Sequence, residues 1–386
     1  MLAGAVLLGG CGGGGSSGMI PSFWMSEGVA VADLNGDGLP DVAVVRTFVD
    51  GSHPHPGSVD VYLQTAAHEF AAPVNYPVGT DPWGIAVGDI NGDGKVDIAV
   101  ANTSAGNVSV LRQDGSQPGR FLPAQQVGTG GTPYAVVIGD INRDGRADLA
   151  VALQNAAGGA VLLLQSTAAP LAFQSPILLA NGSGALSVAI GDLNHDGLPD
   201  VATDGNNAVD VFLQTPAGAF GPAVPLTAGN RPGNVAIADL NGDGFDDLIV
   251  ANAGSMNGGS GASISILLHD SSHPGTFQAA VNYPVADSAR QVVVGQLTGS
   301  PAPDIAVISL VLQSQSAVAQ ISHLQNQGDG SFTFGPVLSG PGDGMFLTIG
   351  DVNGDGLVDL VVSDGPQLIL QNAASPGTFN TGTPLR

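Results

Sequence analysis

Six times along this chain the same nine-residue pattern recurs, Asp-x-Asn-x-Asp-Gly-x-x-Asp, starting at Asp33, Asp89, Asp140, Asp192, Asp239 and Asp351. The steps between starts are 56, 51, 52, 47 and 112 residues. The last step is twice 56, so a degenerate copy is expected near residue 295. Gly295-Gln296-Leu297-Thr298-Gly299-Ser300, followed by Asp304, fills that place, with Gln296, Thr298 and Ser300 where acids stand elsewhere. A period near fifty marks a repeat architecture, in which no unit can bury its apolar face alone. Length alone would divide 386 residues into two or three domains. Seven similar units replace that division with a single ring.

Each unit carries the same short runs. An apolar run precedes the motif, as in Gly84-Ile85-Ala86-Val87-Gly88, and another follows it, as in Asp97-Ile98-Ala99-Val100. An alternating run comes next, such as Val59-Asp60-Val61-Tyr62-Leu63 or Val209-Asp210-Val211-Phe212-Leu213. A stretch with Phe70, Phe121, Phe173, Phe220, Phe277, Phe332 or Phe334, and Phe379 closes the unit. Runs this short, bounded by Gly, Pro, Asn or Asp, are strands. The first two are expected to be buried on both faces and the third to lie nearer the outside. Seven units of four strands predict an all-β, seven-bladed β-propeller of four-stranded blades, with the aspartate loops between strands one and two. Closing the ring protects the sheet edges. A calcium-binding solenoid would repeat near every nine residues, and this chain does not.

Of the 33 acidic residues only Glu27 and Glu69 are Glu, which leaves 31 Asp. A short carboxylate close to the backbone serves a turn or an oxygen-ligand metal loop. Alternate oxygen side chains with Gly at position six are how a chain wraps a hard cation. An EF-hand closes with Glu at position twelve, but here that position holds Val44, Val100, Val151, Thr203, Val250 or Val362. The last carboxylate falls instead at position nine, at the head of a strand. The expected Ca²⁺ ligands are therefore Asp33, Asn35, Asp37, Asp41 and the Leu39 carbonyl in the first loop. The same offsets give Asp89, Asn91, Asp93, Lys95 and Asp97; Asp140, Asn142, Asp144, Arg146 and Asp148; Asp192, Asn194, Asp196, Leu198 and Asp200. They also give Asp239, Asn241, Asp243, Phe245 and Asp247, and Asp351, Asn353, Asp355, Leu357 and Asp359. Mg²⁺ suits such protein-rich loops less, because it tends to keep its waters. Six Ca²⁺, with none in the degenerate loop, would halve the net charge of −24. Nine basic residues are too few for a phosphate-binding face, so nucleic acid is not an expected partner.

On this loop the unit resembles the FG-GAP or VCBS-type repeat, which also builds the integrin alpha-chain propeller. The resemblance runs from about Glu27 to Leu385. It implies a calcium-binding surface module for adhesion or ligand recognition. Relatives of this type include lyase and oxidoreductase propellers, so the alternative is an extracytoplasmic, polysaccharide-active enzyme using the central funnel.

The start of the chain reads separately. Leu2 to Leu8 is a short apolar run, and Leu8-Gly9-Gly10-Cys11 resembles a bacterial lipobox, although no Lys or Arg precedes it. Cys11 is then the lipidated residue and the following Gly/Ser run a tether. The other reading is an idle cysteine in a disordered terminus. The expected organisation is a signal segment over 1–11, a tether over 12–24 and a propeller over 25–386. Its blades run 25–78, 79–130, 131–181, 182–229, 230–286, 287–340 and 341–386. The expected location is extracytoplasmic, lipid-anchored to the membrane or cell surface and otherwise secreted, as a monomer that meets the membrane only through that anchor.

A second ring of positions stands six residues before each motif: Glu27, Trp83, Tyr134, Leu186, Gly233, Arg290 and Met345. Repetition predicts sameness there, yet these differ. Packing between blades is one explanation. A ligand funnel for a glycan or protein is the other, with Glu27, Trp83, Tyr134 and Arg290 as its candidates. The long loops Thr47–Gly57, Ala253–Gly261 and Leu310–Val318 are expected on the same face. His53-Pro54-His55, with His68, reads as an exposed Pro-rich loop, and His195 occupies an exposed, non-ligand slot. No catalytic residues are assigned, since the chain lacks G-x-S-x-G, H-E-x-x-H and paired cysteines.

Overall fold

The structure is a computed structural model that describes residues 23–49, 54–66, 69–155, 158–205, 207–255, 261–313, 316–340, 344–363 and 365–385. Cys11 and residues 12–22 of the expected tether lie outside the described residues, as do His53 and His68; Phe23 and Trp24, expected in the tether, already belong to the first strand, Phe23–Ala32. The described chain folds as a seven-bladed β-propeller. Blade two sets the pattern, with antiparallel strands Pro82–Gly88, Asp97–Asn102, Asn107–Leu111 and Gln125–Gly128 side by side in chain order. Blade six adds a fifth short strand, Leu338–Ser339, against its third. Among the described residues no helix is long and apolar enough to cross a membrane.

The first strand of each blade contacts that of the next, and the seventh contacts the first, so the first strands surround the axis. Among the described residues no blade borrows a strand from the other end of the chain. Side chains close the ring instead: Val42, Val44, Tyr62 and Phe70 of blade one pack on Val352, Val361 and Leu368 of blade seven. Six further clusters of this kind fill the spaces between the other neighbouring blades.

Radial stacking explains where burial departs from the sequence expectation. Second strands are buried throughout, as in Asp148–Leu153. Third strands are also buried rather than peripheral, as in Gly159–Leu163, because blades sandwich both. First strands are only half-buried, since their inner edge faces the axis. The exposed strand is the fourth, as in Gln125–Gly128. The phenylalanines precede it: Phe121, Phe173, Phe220, Phe277 and Phe379 make isolated bridges to the ends of the third strands. The expected loop Leu310–Val318 is instead a continuation of the hairpin of blade six, whose ladder runs out to Gln313 opposite Ser316.

Candidate functional site

Two constellations lie at opposite ends of the first strands. At one end, each motif forms a tight loop on its own hydrogen bonds. Asp33 Oδ1 accepts the Gly36 and Asp37 N–H groups at 2.6 and 3.1 Å, and Oδ2 accepts Gly38 N–H at 2.8 Å. The position-six N–H meets the position-one Asp at 2.7–2.9 Å in all six intact loops. Gly is needed at position six because φ there is +81 to +86°. Position seven (Leu39, Lys95, Arg146, Leu198, Phe245 or Leu357) donates its N–H to the position-five Asp at 2.8–3.0 Å. Asn35 Oδ1 accepts the Asp37 N–H, while its Nδ2 donates to Asp37 Oδ2.

The position-nine Asp is fully buried in every blade. Asp41 Oδ2 accepts from Leu34 N–H at 2.8 Å and Oδ1 from Gln64 N–H at 2.7 Å, which ties the loop to the end of the third strand. Burial pushes the carboxyls of Asp41, Asp97, Asp148, Asp247 and Asp359 up to about 6 and that of Asp200 to about 7, and acids of the same loop push the same way. Among the described residues, no three acidic or imidazole side chains converge as a formed cation cage. The donor set nevertheless suits a hard cation. It is all oxygen, it carries three negative charges per loop, and its buried carboxylate lacks a counter-charge.

A belt of amides, which the sequence reading missed, joins these loops around the ring. Gln64, Gln165 and Gln214 donate from Nε2 to the Val352, Ile90 and Ile141 carbonyls of the preceding blade's loop at 2.7–2.8 Å. Gln113 does the same to Leu34, and Asn326 Nδ2 reaches Leu240 at 2.7 Å. In blade seven Gln371 turns instead to Val358 of its own blade. The sequence signal was the recurrent Gln two residues past the third strand, as at Leu63-Gln64 and Leu213-Gln214.

Blade six handles its buried Asp304 differently. Thr298 Oγ1 donates to Oδ2 at 2.7 Å and Asn326 N–H to Oδ1 at 2.8 Å. The His323 Nε2 lies 4.0 Å from Oδ2, with both side chains almost wholly buried. His323 stands opposite Ala306 in the ladder. The same place in the intact blades holds Val61, Val110, Leu162, Val211, Ile266 or Leu368. The one blade that lost its acidic loop is the one with an imidazole there. Burial raises Asp304, but His323 and the two donors outweigh it, so its carboxyl falls below the usual range.

At the other end, five of the first strands carry a β-bulge, and the bulges fall at Glu27, Trp83, Tyr134, Gly233 and Arg290. A bulge re-aims a side chain. The Trp83 and Tyr134 rings lie 4.7 Å apart, and Phe346 meets Trp83 edge-on at 5.9 Å. In blade seven the ring is thus Phe346 rather than the expected Met345, because the first strand begins later, at Leu347. Burial raises the Tyr134 hydroxyl, Glu27 adds to this, and Arg290 opposes it. The structure therefore brings all four candidates together and adds Phe346, Arg231 and Asp204. The Leu186 backbone binds Asp204 Oδ1, and Gly233 contributes no side chain.

The other described histidines make local contacts. His55 Nδ1 pairs with Asp81 Oδ1 at 2.8 Å. The exposed His195 packs on Phe245, which stacks on His269. Asp270, Ser272 and His273 mimic a triad in composition only. Ser272 Oγ and Asp270 Oδ2 both meet Nδ1, so no proton relay runs through the ring.

The chain matches the family model described as FG-GAP-like repeat over residues 33–100, 89–151, 201–250 and 297–362. Rat (Rattus norvegicus) integrin alpha-7 is 33% identical over 124 residues, 28% of this chain and 11% of that protein. Chicken (Gallus gallus) integrin alpha-6 is 33% identical over 136 residues, 32% of this chain and 13% of that protein. The matched stretch is thus only about a tenth of these curated relatives. Among solved structures, a lectin of Agrocybe aegerita that recognises non-reducing terminal N-acetylglucosamine superposes with a TM-score of 0.53 at 19% identity, covering 92% of this chain and 93% of the lectin. A rhamnogalacturonan lyase superposes at 0.52 and 13% identity, covering 88% and 70%. At such identities these structures share the fold alone.

Proposed function

The chain belongs to the FG-GAP-like repeat family, and on that basis we propose that it is a calcium-binding, extracytoplasmic recognition propeller whose glycan or protein ligand sits on the axial face. The observation that carries the reading is the set of bulges. The repeat builds the same irregularity into five first strands, then fills it with Glu27, Trp83, Tyr134, Arg290 and no side chain at all. Packing alone would favour one residue repeated. Aromatic faces beside a few charges are what a saccharide or a peptide side chain uses.

In the six intact loops, Asp at positions one, five and nine, Asn at three and the carbonyl at seven would hold Ca²⁺. Bound calcium supplies the positive charge that three carboxylates per loop lack. Lipidation at Cys11 would place the ring outside the cytoplasm, tethered by the Gly/Ser run.

A glycan-array screen of the calcium-loaded protein, repeated with Trp83→Ala and Arg290→Ala, tests the face. Binding lost in both variants, with little change in melting temperature, supports it. Binding that survives both but fails in a folded calcium-loop variant would falsify it. Cleavage of a bound polysaccharide, lost in Glu27→Gln, would favour the enzymatic alternative.

A further inference from the structure

Resting on that reading of the axial face, we propose that Arg231 and Arg290 form an oxyanion subsite, and that the ligand is an acidic saccharide. The chain has nine basic residues against 33 acids, yet two of the nine meet here. Arg231 immediately precedes the first strand Pro232–Ala238 and Arg290 lies in the neighbouring one, Ala289–Gly295; the two strands are tied where Val292 N–H donates to Asn234 Oδ1 at 2.9 Å. Arg290 is exposed and makes no hydrogen bond or ion pair among the described residues. Arg231 has one long bond, 3.4 Å to the Gly254 carbonyl. Partial burial lowers the Arg290 guanidinium, and the Arg231 charge lowers it further. Two like charges this near favour an anion, while the acids of this face, Glu27 and Asp204, act on Tyr134. Guanidinium forks suit a carboxylate or sulfate.

The space is present as well. At the other bulges, a Cβ added to Gly28 or Gly84 would run into the Trp83 or Tyr134 backbone at 2.7 Å. A Cβ added at Gly233 would meet nothing within 4 Å. Blade five therefore leaves open space, a notch, where blades two, three and six carry Trp83, Tyr134 and Arg290, at the same end of the first strands as the Trp83–Tyr134 pair. Arg231 is not there for backbone reasons. Its slot has φ +56°, and blades two and six fill it with Asp81 and Ser288. One saccharide can stack a sugar face on the aromatics and place its acid in the notch.

Calorimetric titration with a short oligogalacturonate, the same oligomer methyl-esterified, a sulfated oligosaccharide and an acidic peptide tests this. The expected result is that the free acid or the sulfated sugar binds and the ester binds at least about tenfold more weakly. Arg231→Gln and Arg290→Gln should each weaken the acid by about ten- to a hundredfold. Gly233→Trp should block the notch, while Arg112→Gln, outside this face, should change nothing. A preference for the free acid over the sulfated sugar names the carboxylate, and the reverse names sulfate. Equal binding of acid and ester, with both Gln variants unaffected, overturns the subsite. If Trp83→Ala still abolishes binding in that case, the axial face stands without it. Binding of the acidic peptide alone overturns the saccharide. Folding of each variant is checked by melting temperature.

Discussion

Replacing His323 with Leu puts into blade six the kind of side chain that the intact blades carry at that position, such as Leu162 and Leu368. The change thus removes the imidazole without asking the core to accept a foreign shape. A protonated His323 and an ionised Asp304 at 4.0 Å would attract by about 4 kcal/mol at an effective dielectric of about 20. Thr298 and Asn326 continue to hold Asp304, which softens the loss. We expect His323→Leu to cost about 3 kcal/mol, within the range for removing one partner of a buried pair. That is a large part of the roughly 5–15 kcal/mol that stabilises a domain. The pH dependence should also change sign. Asp304 sits below its ordinary value in the folded protein, so its contribution is present above the unfolded pKa, about 3.9, and is lost as pH falls through the folded value. Without His323, burial dominates and the carboxyl rises, so stability is lost as pH climbs. Urea unfolding from about pH 2 to 8, at fixed calcium, measures both effects. Asp304→Asn added to the His323→Leu variant should recover most of the loss. A His323→Leu protein with unchanged stability and unchanged pH slope would refute the reasoning, as would a double-mutant coupling near zero.

Chelation should lower the melting temperature sharply. At about 1 mM Ca²⁺ and a dissociation constant near 0.1 mM each site adds roughly 1.4 kcal/mol, so Asp93→Ala should cost about that and Ser300→Ala little, by calorimetry. Gln165→Leu strands the Ile90 carbonyl and the Leu171 N–H, which Gln165 meets at 2.8 and 2.7 Å, and should cost about 2–4 kcal/mol in chemical denaturation. Burial pushes the Asp204 carboxyl up to about 7. Its contribution is therefore whole below about pH 4 and lost as pH rises through 7, and Asp204→Asn should flatten melting temperature over that window. Cys11→Ala should move the protein from the membrane fraction to the soluble one; an unchanged partition removes the lipid anchor.

The repeat is written in the chain itself, and with it the number of blades, the aspartate loops and the positions of the four axial residues. Those features are local. A motif of nine residues closes on its own backbone, and strand periodicity is carried by consecutive side chains. Even the degenerate copy was legible, because its spacing survived the loss of its acids. What depended on neighbours was not legible. The buried third strand read as peripheral because Val59-Asp60-Val61 alternates like a half-exposed strand, and only stacking between blades covers Asp60's neighbours on both sides. The Gln64-to-Val352 bond joins opposite ends of the chain, so no spacing announces it. His323 read as nothing until the ladder set it beside Asp304, nineteen residues away in sequence. Arg231 escaped because counting back from the motif reaches the bulge and stops two residues short of it. Packing blade six against blade five set Arg290 near Arg231 and left open space at Gly233, since charge and open space are properties of the assembled face rather than of any one repeat.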